Sequence, residues 1–183
     1  MIRELSIEML EEVRSTLENC YFEEKRLIEE VKKADRIFVA GVGRTGYIMR
    51  CFSMRLMHAG FNSFMIGDTE TPGAGKGDLL IIGSGSGETE SLKSYVRKAK
   101  KISMRIVILT ASDKSTLSDG ADILCTLPAP NKTDVIDKEK SIQPMGALFE
   151  QSLLVFLDAL VIQIMEECNI SCEEMYRNHA NLE

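Results

Sequence analysis

The chain has 183 residues and carries 22 Lys and Arg against 28 Asp and Glu, so its formal net charge is −6. An acidic chain without a basic block is a poor candidate for non-specific nucleic-acid binding, and we expect no nucleic-acid partner. A hydrophobic fraction of 44% with 27% charged residues excludes a disordered chain and indicates one soluble globular domain.

The N-terminal segment carries an apolar stripe at helical spacing. Apolar residues recur three or four positions apart between 7 and 33, which predicts one long helix or two consecutive helices. Stripes of this kind usually pack in a core or against another subunit. The stripe consists of Ile7, Leu10, Val13, Leu17, Cys20, Leu27, Ile28 and Val31.

The middle of the chain alternates short apolar runs with amphipathic segments. The segments 44–59 and 88–101 are interpreted as helices. Strands that are apolar on both faces are typical of a parallel sheet covered by helices on either side. The predicted fold class is therefore α/β, a three-layer α/β/α domain with a five-stranded parallel sheet of flavodoxin-like order 2-1-3-4-5. The predicted strands are 36–40, 61–66, 79–82, 104–110 and 121–127.

One connection departs from the usual pattern of such sheets. Residues 67–77 provide eleven residues, four of them glycine, between two strands that are predicted to be parallel. A parallel crossover usually takes a dozen residues or more and contains a helix. We therefore expect an extended or single-turn crossing there.

The C-terminal region is predicted as a polar loop, 128–143, and a long helix, 145–168, that opens at Pro144. A short helix and tail follow. The run 153–165 is so apolar that the helix needs cover on more than one side, and a neighbouring subunit is a natural second cover. The run is well below the roughly 20 residues of a membrane span, so no membrane contact is expected. We predict one domain, 1–183, with an N-terminal helical segment 1–34, an α/β core 35–143 and C-terminal helices 144–183.

Cysteine usage and the N-terminus indicate a cytoplasmic protein. The five cysteines are odd in number and scattered, which favours reduced thiols over a disulfide framework. The N-terminus lacks the apolar core of a signal peptide. Cys168 and Cys172 have the spacing of helix neighbours and lack companion ligands, so no metal site is expected.

Two glycine-rich turns carry the main functional signal. The first, 41–46 (GVGRTG), follows the first strand, and the second, 83–89 (GSGSGET), follows the third strand. Glycine lets the backbone approach a ligand, and the helix that follows directs free N–H groups to the same point, where an anion fits. In the predicted strand order both turns flank one crevice. A phosphorylated small molecule there would contact both turns, with Arg44 and Thr45 from the first.

The first turn also matches the dinucleotide fingerprint Gly-x-Gly-x-x-Gly, with Asp68 after the second strand as the acidic residue. A nicotinamide cofactor is therefore an alternative ligand. Three features weigh against it: helices precede the first strand, little chain remains for a substrate domain, and the second turn adds hydroxyls that dinucleotide folds do not require.

The second turn is the more specific of the two. Ser84, Ser86 and Thr89 place three hydroxyls at a helix N-terminus, and hydroxyls with free N–H groups can surround a phosphate without a metal or a lysine. The alternative is an ordinary capped helix start, since Ser and Thr are good N-caps. A P-loop is excluded because Gly77 follows Lys76 where a Ser or Thr is required.

The two glycine-rich turns and several other segments of the chain resemble a known family. The turn 84–89 resembles the phosphate loop of sugar isomerase (SIS) domains, which bind phosphosugars, and further blocks resemble the 6-phospho-3-hexuloisomerase family. That family interconverts D-arabino-hex-3-ulose 6-phosphate and D-fructose 6-phosphate in the ribulose monophosphate pathway. Position 45 is Thr where the family often has Ser, which keeps the hydroxyl. The matching blocks are 41–46, 54–61, 83–89, 142–151 and 179–183.

The resemblance implies residue roles and an assembly. Residues 84–89 would hold the phosphate, Thr45 would bind the sugar, Glu150 would be the proton-transferring base, and the protein would be a tetramer without a cofactor. One carboxylate can move a proton between C2 and C3 through a 2,3-enediol without metal or redox chemistry. Another aldose–ketose phosphosugar isomerase and a non-catalytic phosphosugar sensor remain alternatives. The candidate substrate-binding residues are Gly43, Arg44, Thr45, Ser84, Gly85, Ser86, Gly87, Glu88 and Thr89.

The chain has two histidines, His58 and His179. Fructose 6-phosphate is mostly a closed ring, and opening that ring needs an acid–base group distinct from Glu150. A lone histidine is more often a packing or surface residue. His58 follows Thr45 by roughly 20 Å of helix, so it can serve a site only across a subunit boundary. His179 could reach a site in its own or another subunit. Both are candidate catalytic residues.

Overall fold

The fold is known from a computed structural model that describes residues 1–130 and 141–182; part of the predicted loop 128–143 therefore lies outside the described residues. The helices are α1 (Ile2–Glu18), α2 (Glu24–Lys33), α3 (Gly43–His58), α4 (Glu90–Lys101), α5 (Ala147–Cys168) and α6 (Cys172–Arg177). The strands are β1 (Ile37–Ala40), β2 (Ser63–Met65), β3 (Leu79–Gly83), β4 (Arg105–Thr110) and β5 (Ile123–Thr126), and a 3-10 helix spans Ser118–Gly120.

The five strands form one parallel sheet in the order β2-β1-β3-β4-β5, which confirms the predicted fold class. In register, Phe38 of β1 lies between Phe64 of β2 and Leu80 of β3. Because β1 and β3 are neighbours and parallel, the two glycine-rich turns leave the sheet side by side at its carboxyl edge.

Two apolar clusters fill the space on either side of the sheet. On one face, alternate strand residues such as Val39 and Ile81 pack with α2, α3 and α5. On the other face, Phe38, Leu80 and Ile82 pack with α4. The strands are therefore buried on both sides, which explains why their sequences are nearly all apolar.

The N-terminal segment forms two helices, which decides between the two predicted arrangements. Between α1 and α2 the chain makes an antiparallel bridge to the edge strand β5. The Tyr21 N–H donates to Thr126 O at 3.0 Å, and the Thr126 N–H donates to Tyr21 O at 2.8 Å. Pairing these exposed backbone groups of the edge strand stabilises a break that the side-chain stripe alone does not show.

The crossing between β2 and β3 contains no helix, as predicted. A turn follows β2, in which the Asp68 N–H donates to Met65 O at 3.2 Å and the Thr71 hydroxyl donates to the same oxygen at 2.8 Å. The crossing ends at the buried Asp78, whose carboxylate accepts from the Arg36 guanidinium at 2.8 and 3.0 Å.

Helix α5 begins later than the sequence predicts. Met145 has a left-handed backbone with φ of 58°, which prevents helix from running on from Pro144, so the first helical residue is Ala147. Glu150 is thus in the first turn of α5. By length and composition α5 could cross a membrane, but 56% of its apolar window is buried within the protein, as in the core helix of a soluble protein.

Candidate functional site

Three helices begin at one pocket. The residues that precede the first turns of α3, α4 and α5 are Val42, Thr89 and Gly146, and none of these three starts carries a side-chain cap in the described residues. In the part of the chain that the structure describes, the starts of α1 and α2 also lack a side-chain cap, whereas Ser171 caps α6 with its hydroxyl. Uncapped helix starts leave backbone N–H groups free and direct three positive dipole ends into the pocket, which favours an anion there.

The pocket holds a cavity of about 130 Å³ between the two glycine-rich turns and the start of α5. It combines backbone donors, hydroxyls and one carboxylate. The structure thus brings together most of the predicted substrate-binding residues and Glu150. The lining residues are Val42, Gly43, Thr45, Gly83, Ser84, Gly85, Ser86, Thr89, Leu92, Gly146, Phe149 and Glu150.

The second glycine-rich turn is held tightly against its surroundings. The Ser84 N–H donates to Leu109 O at 2.9 Å, which anchors the turn to β4. Gly87 has a φ of 66°, and a Cβ there would collide with the Ser115 side chain. A Cβ on Gly85 would lie 3.1 Å from the Phe149 ring. The turn therefore needs glycine at position 87, and a Cβ at position 85 would press on the Phe149 ring.

The pocket carboxylate has a cation beside it. The Glu150 side chain is 7% exposed, and one of its oxygens lies 3.3 Å from Nη1 of Arg44, whose side chain is 58% exposed. Arg44 does not line the cavity, and it enters the site through this ion pair. A buried carboxylate is rarely left unpaired, and Arg44 is the cation that pairs with Glu150 in this pocket.

A family model for the SIS domain matches residues 30–155. This chain belongs to the SIS domain family. The SIS match leaves α1 and α6 outside it, so the predicted extent of one domain over 1–183, with its three segments, stays a prediction.

Similar proteins carry one recurring name. A 3-hexulose-6-phosphate isomerase of Bacillus subtilis (strain 168) is 43% identical over 161 residues, 88% of this chain and 87% of the relative. A 3-hexulose-6-phosphate isomerase of Methanocaldococcus jannaschii is 42% identical over 156 residues, 85% of this chain and 82% of the relative. The crystal structure of a Methanococcus jannaschii protein with an inferred function of 3-hexulose-6-phosphate isomerase has a TM-score of 0.78 at 40% identity, covering 87% of this chain and 85% of that one.

Glu88, a predicted substrate-binding residue of the SIS domain, faces a different loop. Its carboxylate accepts from the Thr116 N–H at 2.7 Å and from the Thr116 hydroxyl at 2.8 Å, and it pairs with Lys93 at 3.3 Å. The Thr116 hydrogen bonds, followed by Lys93, lower the pKa of Glu88 below its usual value. These contacts favour a role in holding the turn, and substrate contact by Glu88 stays a prediction.

Asp68, the acidic residue of the dinucleotide pattern, already forms an ion pair within the SIS domain. Asp68 pairs with Arg50 of α3 at 2.7 and 2.8 Å. The Arg50 guanidinium lowers the pKa of Asp68, chiefly through this hydrogen bond. A side chain that is already paired with a cation is poorly disposed to bind a ribose, which weakens the nicotinamide alternative.

The two histidines lie together at the opposite end of α3 from the pocket. Their rings stack with centroids 5.2 Å apart, and Asn178 Nδ2 donates to His58 O at 2.9 Å. Burial, and then the charges of His179 and Arg55, lower the pKa of His58. Neither histidine lines the pocket of its own chain, so their predicted catalytic roles stay predictions that need another subunit.

Sequence reasoning did not select Val42, Gly146 or Phe149 as site residues. Gly146 and Phe149 form the α5 side of the pocket. A helix-start signal was present, because Pro144 and Gly146 stand just before a long apolar run. The sequence does not show that this start meets the two glycine-rich turns.

Proposed function

We propose that this protein is a 3-hexulose-6-phosphate isomerase that interconverts D-arabino-hex-3-ulose 6-phosphate and D-fructose 6-phosphate in the ribulose monophosphate pathway. The observation that carries the proposal is the buried carboxylate of Glu150 in one pocket with an uncapped, hydroxyl-rich turn at a helix start. The 37–43% identity to relatives of that name over most of the chain supports the same reaction.

The phosphate is bound by the turn 84–89 at the start of α4. Ser84, Ser86 and Thr89 line the cavity and supply hydroxyls, while the free N–H groups of the helix start supply further donors. Charge-assisted hydrogen bonds of this kind are short and strong. Gly43 and Thr45 lie on the other side of the cavity, where the sugar hydroxyls of a bound phosphosugar extend.

Glu150 transfers the proton. In the direction of fructose 6-phosphate, its carboxylate takes the proton from C2 of the hex-3-ulose and returns it to C3 through a 2,3-enediol. Both carbons are neighbours, so one carboxylate on one face reaches both. Arg44, 3.3 Å from Glu150, pairs with the carboxylate and holds it at the pocket.

Ring opening is assigned to a histidine from a neighbouring subunit. His58 and His179 stack at the end of α3 that faces away from the chain's own pocket, so the pair serves a pocket of another copy. His58 is buried and its pKa is lowered, while the exposed His179 stacks on it, so His179 is the ring of the pair that another copy can reach directly.

The assembly is a homo-oligomer, with a tetramer as the proposed state. Exposed apolar side chains lie on three helices, and a second copy would remove them from water. The test is sedimentation velocity, in which a monomer at micromolar concentration would contradict the proposal. The exposed residues are Ile2, Leu5, Ile7 and Leu10 of α1, Tyr47, Met54 and Met57 of α3, and Leu154, Val155 and Ile162 of α5.

Solvent exchange tests the reaction itself. Fructose 6-phosphate incubated with the protein in D₂O should acquire deuterium at C3, which NMR detects, because the 2,3-enediol is reprotonated from solvent-exchanged Glu150. An aldose–ketose isomerase acting through a 1,2-enediol would instead label C1. A phosphosugar sensor would bind the sugar and exchange neither position.

A further inference from the structure

Glu12 of α1 is bonded to the segment that leads into α5. Its carboxylate accepts three hydrogen bonds, from the Ser141 hydroxyl at 2.8 Å, the Ile142 N–H at 2.8 Å and Gln143 Nε2 at 2.9 Å. Three donors on one carboxylate fix both the segment and the register of α1 against it. Glu12 lies more than 100 residues before its partners and outside the SIS match at 30–155.

The bond to Gln143 has a fixed direction. A carboxylate only accepts, so Gln143 must present its NH₂ group to Glu12 and its carbonyl oxygen to the other side. There Gln151 Nε2 donates to Gln143 Oε1 at 2.6 Å. Gln143 is buried, so a mismatch of donor and acceptor would be costly. The chain Glu12–Gln143–Gln151 thus runs from α1 to the residue next to Glu150.

The segment held by Glu12 contains a strained residue. Met145 has a φ of 58°, in the left-handed region that a Met side chain disfavours. A residue persists there only when its surroundings fix the backbone on both sides. The Glu12 bonds fix the chain before Met145. After it, the Glu150 N–H donates to Gly146 O at 3.1 Å in the first turn of α5.

We propose that Glu12 is a positioning residue for Glu150, acting through residues 141–143 and Gln151. The inference rests on the proposed function, since Glu150 is the group being placed. Glu12 does not line the pocket. Its bonds set where Met145 turns and where α5 starts, and that start sets the direction of the Glu150 carboxylate towards the substrate. A shift of about 1 Å in such a group lowers turnover without removing the phosphate site.

The test reverses the hydrogen bond. Glu12→Gln replaces one of the two acceptor oxygens with an NH₂ group, so either the Ile142 N–H or the Gln143 NH₂ group loses its acceptor. Gln143→Glu places two carboxylates together. The double variant Glu12→Gln with Gln143→Glu restores one donor and one acceptor, and its new carboxylate still accepts from Gln151. Glu11→Gln is the matched control, because Glu11 lies on the same helix and pairs at the surface with Arg14.

We expect each single variant to lower kcat on the order of tenfold, with a much smaller change in KM. The double variant should recover most of kcat. The Glu11→Gln control should match the wild type. In parallel, amide hydrogen exchange across 142–150 should be faster in the single variants and return to the wild-type rate in the double. Unchanged kcat and exchange in both single variants would overturn the proposal, as would a folded double variant that keeps the low kcat and the fast exchange of the single variants. If the wild type has no isomerase activity, the proposed function fails and the exchange measurement alone decides the placement by Glu12.

Discussion

The two ends of α3 lie in opposite chemical surroundings. At its N-terminal end, Gly43 and Thr45 line a pocket where the starts of α4 and α5 meet it. At its C-terminal end, His58 stacks on His179 and is buried. The helix has 16 residues, so roughly 24 Å separates these ends at 1.5 Å per residue.

The two ends of α3 therefore favour different charges and different chemistry. The first end has free N–H groups and the positive ends of three helices, and it favours a negative charge. The second end buries the imidazole of His58 against the exposed His179, and burial disfavours charge, as the lowered pKa of His58 indicates. One chain therefore cannot bring anion binding and histidine chemistry to one pocket. The two meet only if a second copy places its histidine end against the first copy's pocket.

The largest expected effect comes from the carboxylate at the pocket end. Glu150→Gln keeps the shape of the side chain and removes its ability to accept a proton, so kcat should fall roughly 10²- to 10⁴-fold while fructose 6-phosphate still binds. Steady-state kinetics and a binding isotherm measure the two quantities. Glu166→Gln, an exposed site on the same helix, is the control. Near-normal turnover would remove Glu150 from the mechanism.

The next largest effect is expected from the histidine variants, which test whether the histidine end of α3 in one subunit meets the pocket of another subunit. His58→Ala or His179→Ala should each lower turnover on the order of 10²-fold if that residue opens the ring. Inactive Glu150→Gln subunits are then mixed with inactive histidine variants after both oligomers are dissociated. With action in trans, about one quarter of the sites formed by random mixing are intact, and activity returns.

A mixture that stays inactive would place the histidine and Glu150 in the same chain's site. Full activity of both histidine variants on the cyclic sugar would exclude either residue from ring opening. Mixtures of each variant with itself, taken through the same dissociation, control for damage in the procedure.

A smaller effect should follow at the phosphate turn. Ser86→Ala removes one hydrogen bond to a charged group, worth about 1.5–3 kcal/mol, so KM should rise roughly ten- to a hundredfold with little change in kcat. Ser91→Ala, an exposed serine in the first turn of α4, is the matched control. An unchanged KM in Ser86→Ala would count against the turn as the phosphate site.

The smallest effect concerns stability at the histidine end. Because the pKa of His58 is lowered from 6.5 in the folded protein, the unfolded chain binds more protons just below that pH. The free energy of unfolding should therefore be highest above pH 6.5 and fall as the pH drops through the lowered value. His58→Phe keeps an aromatic ring stacked on His179 and removes this titration. The thermal midpoint of the variant should therefore change less between pH 7.5 and 5.5 than that of the wild type. An equal change in both proteins would show that His58 contributes nothing to the pH dependence.

Several features of the fold and site could be predicted because their signals are local. Runs of apolar residues ending in glycine, as at Gly41 and Gly83, mark buried parallel strands followed by helix starts, and the order 2-1-3-4-5 was predicted correctly. The break between α1 and α2 has no such signal, because it depends on pairing between Tyr21 and Thr126. The start of α5 was predicted too early because nothing in the sequence marks the left-handed backbone of Met145.

By itself the sequence determined which segments are helices and strands, that two turns suit an anion, and that hydroxyls cluster at one of them. Only the tertiary structure decided which side chains meet. It brought Arg44 to Glu150, directed Glu88 to Thr116, stacked His58 on His179 and tied Glu12 to Gln143. Local patterns follow from neighbours three or four positions apart, whereas these contacts join residues from 28 to 131 positions apart that meet only once the sheet and its helices have packed.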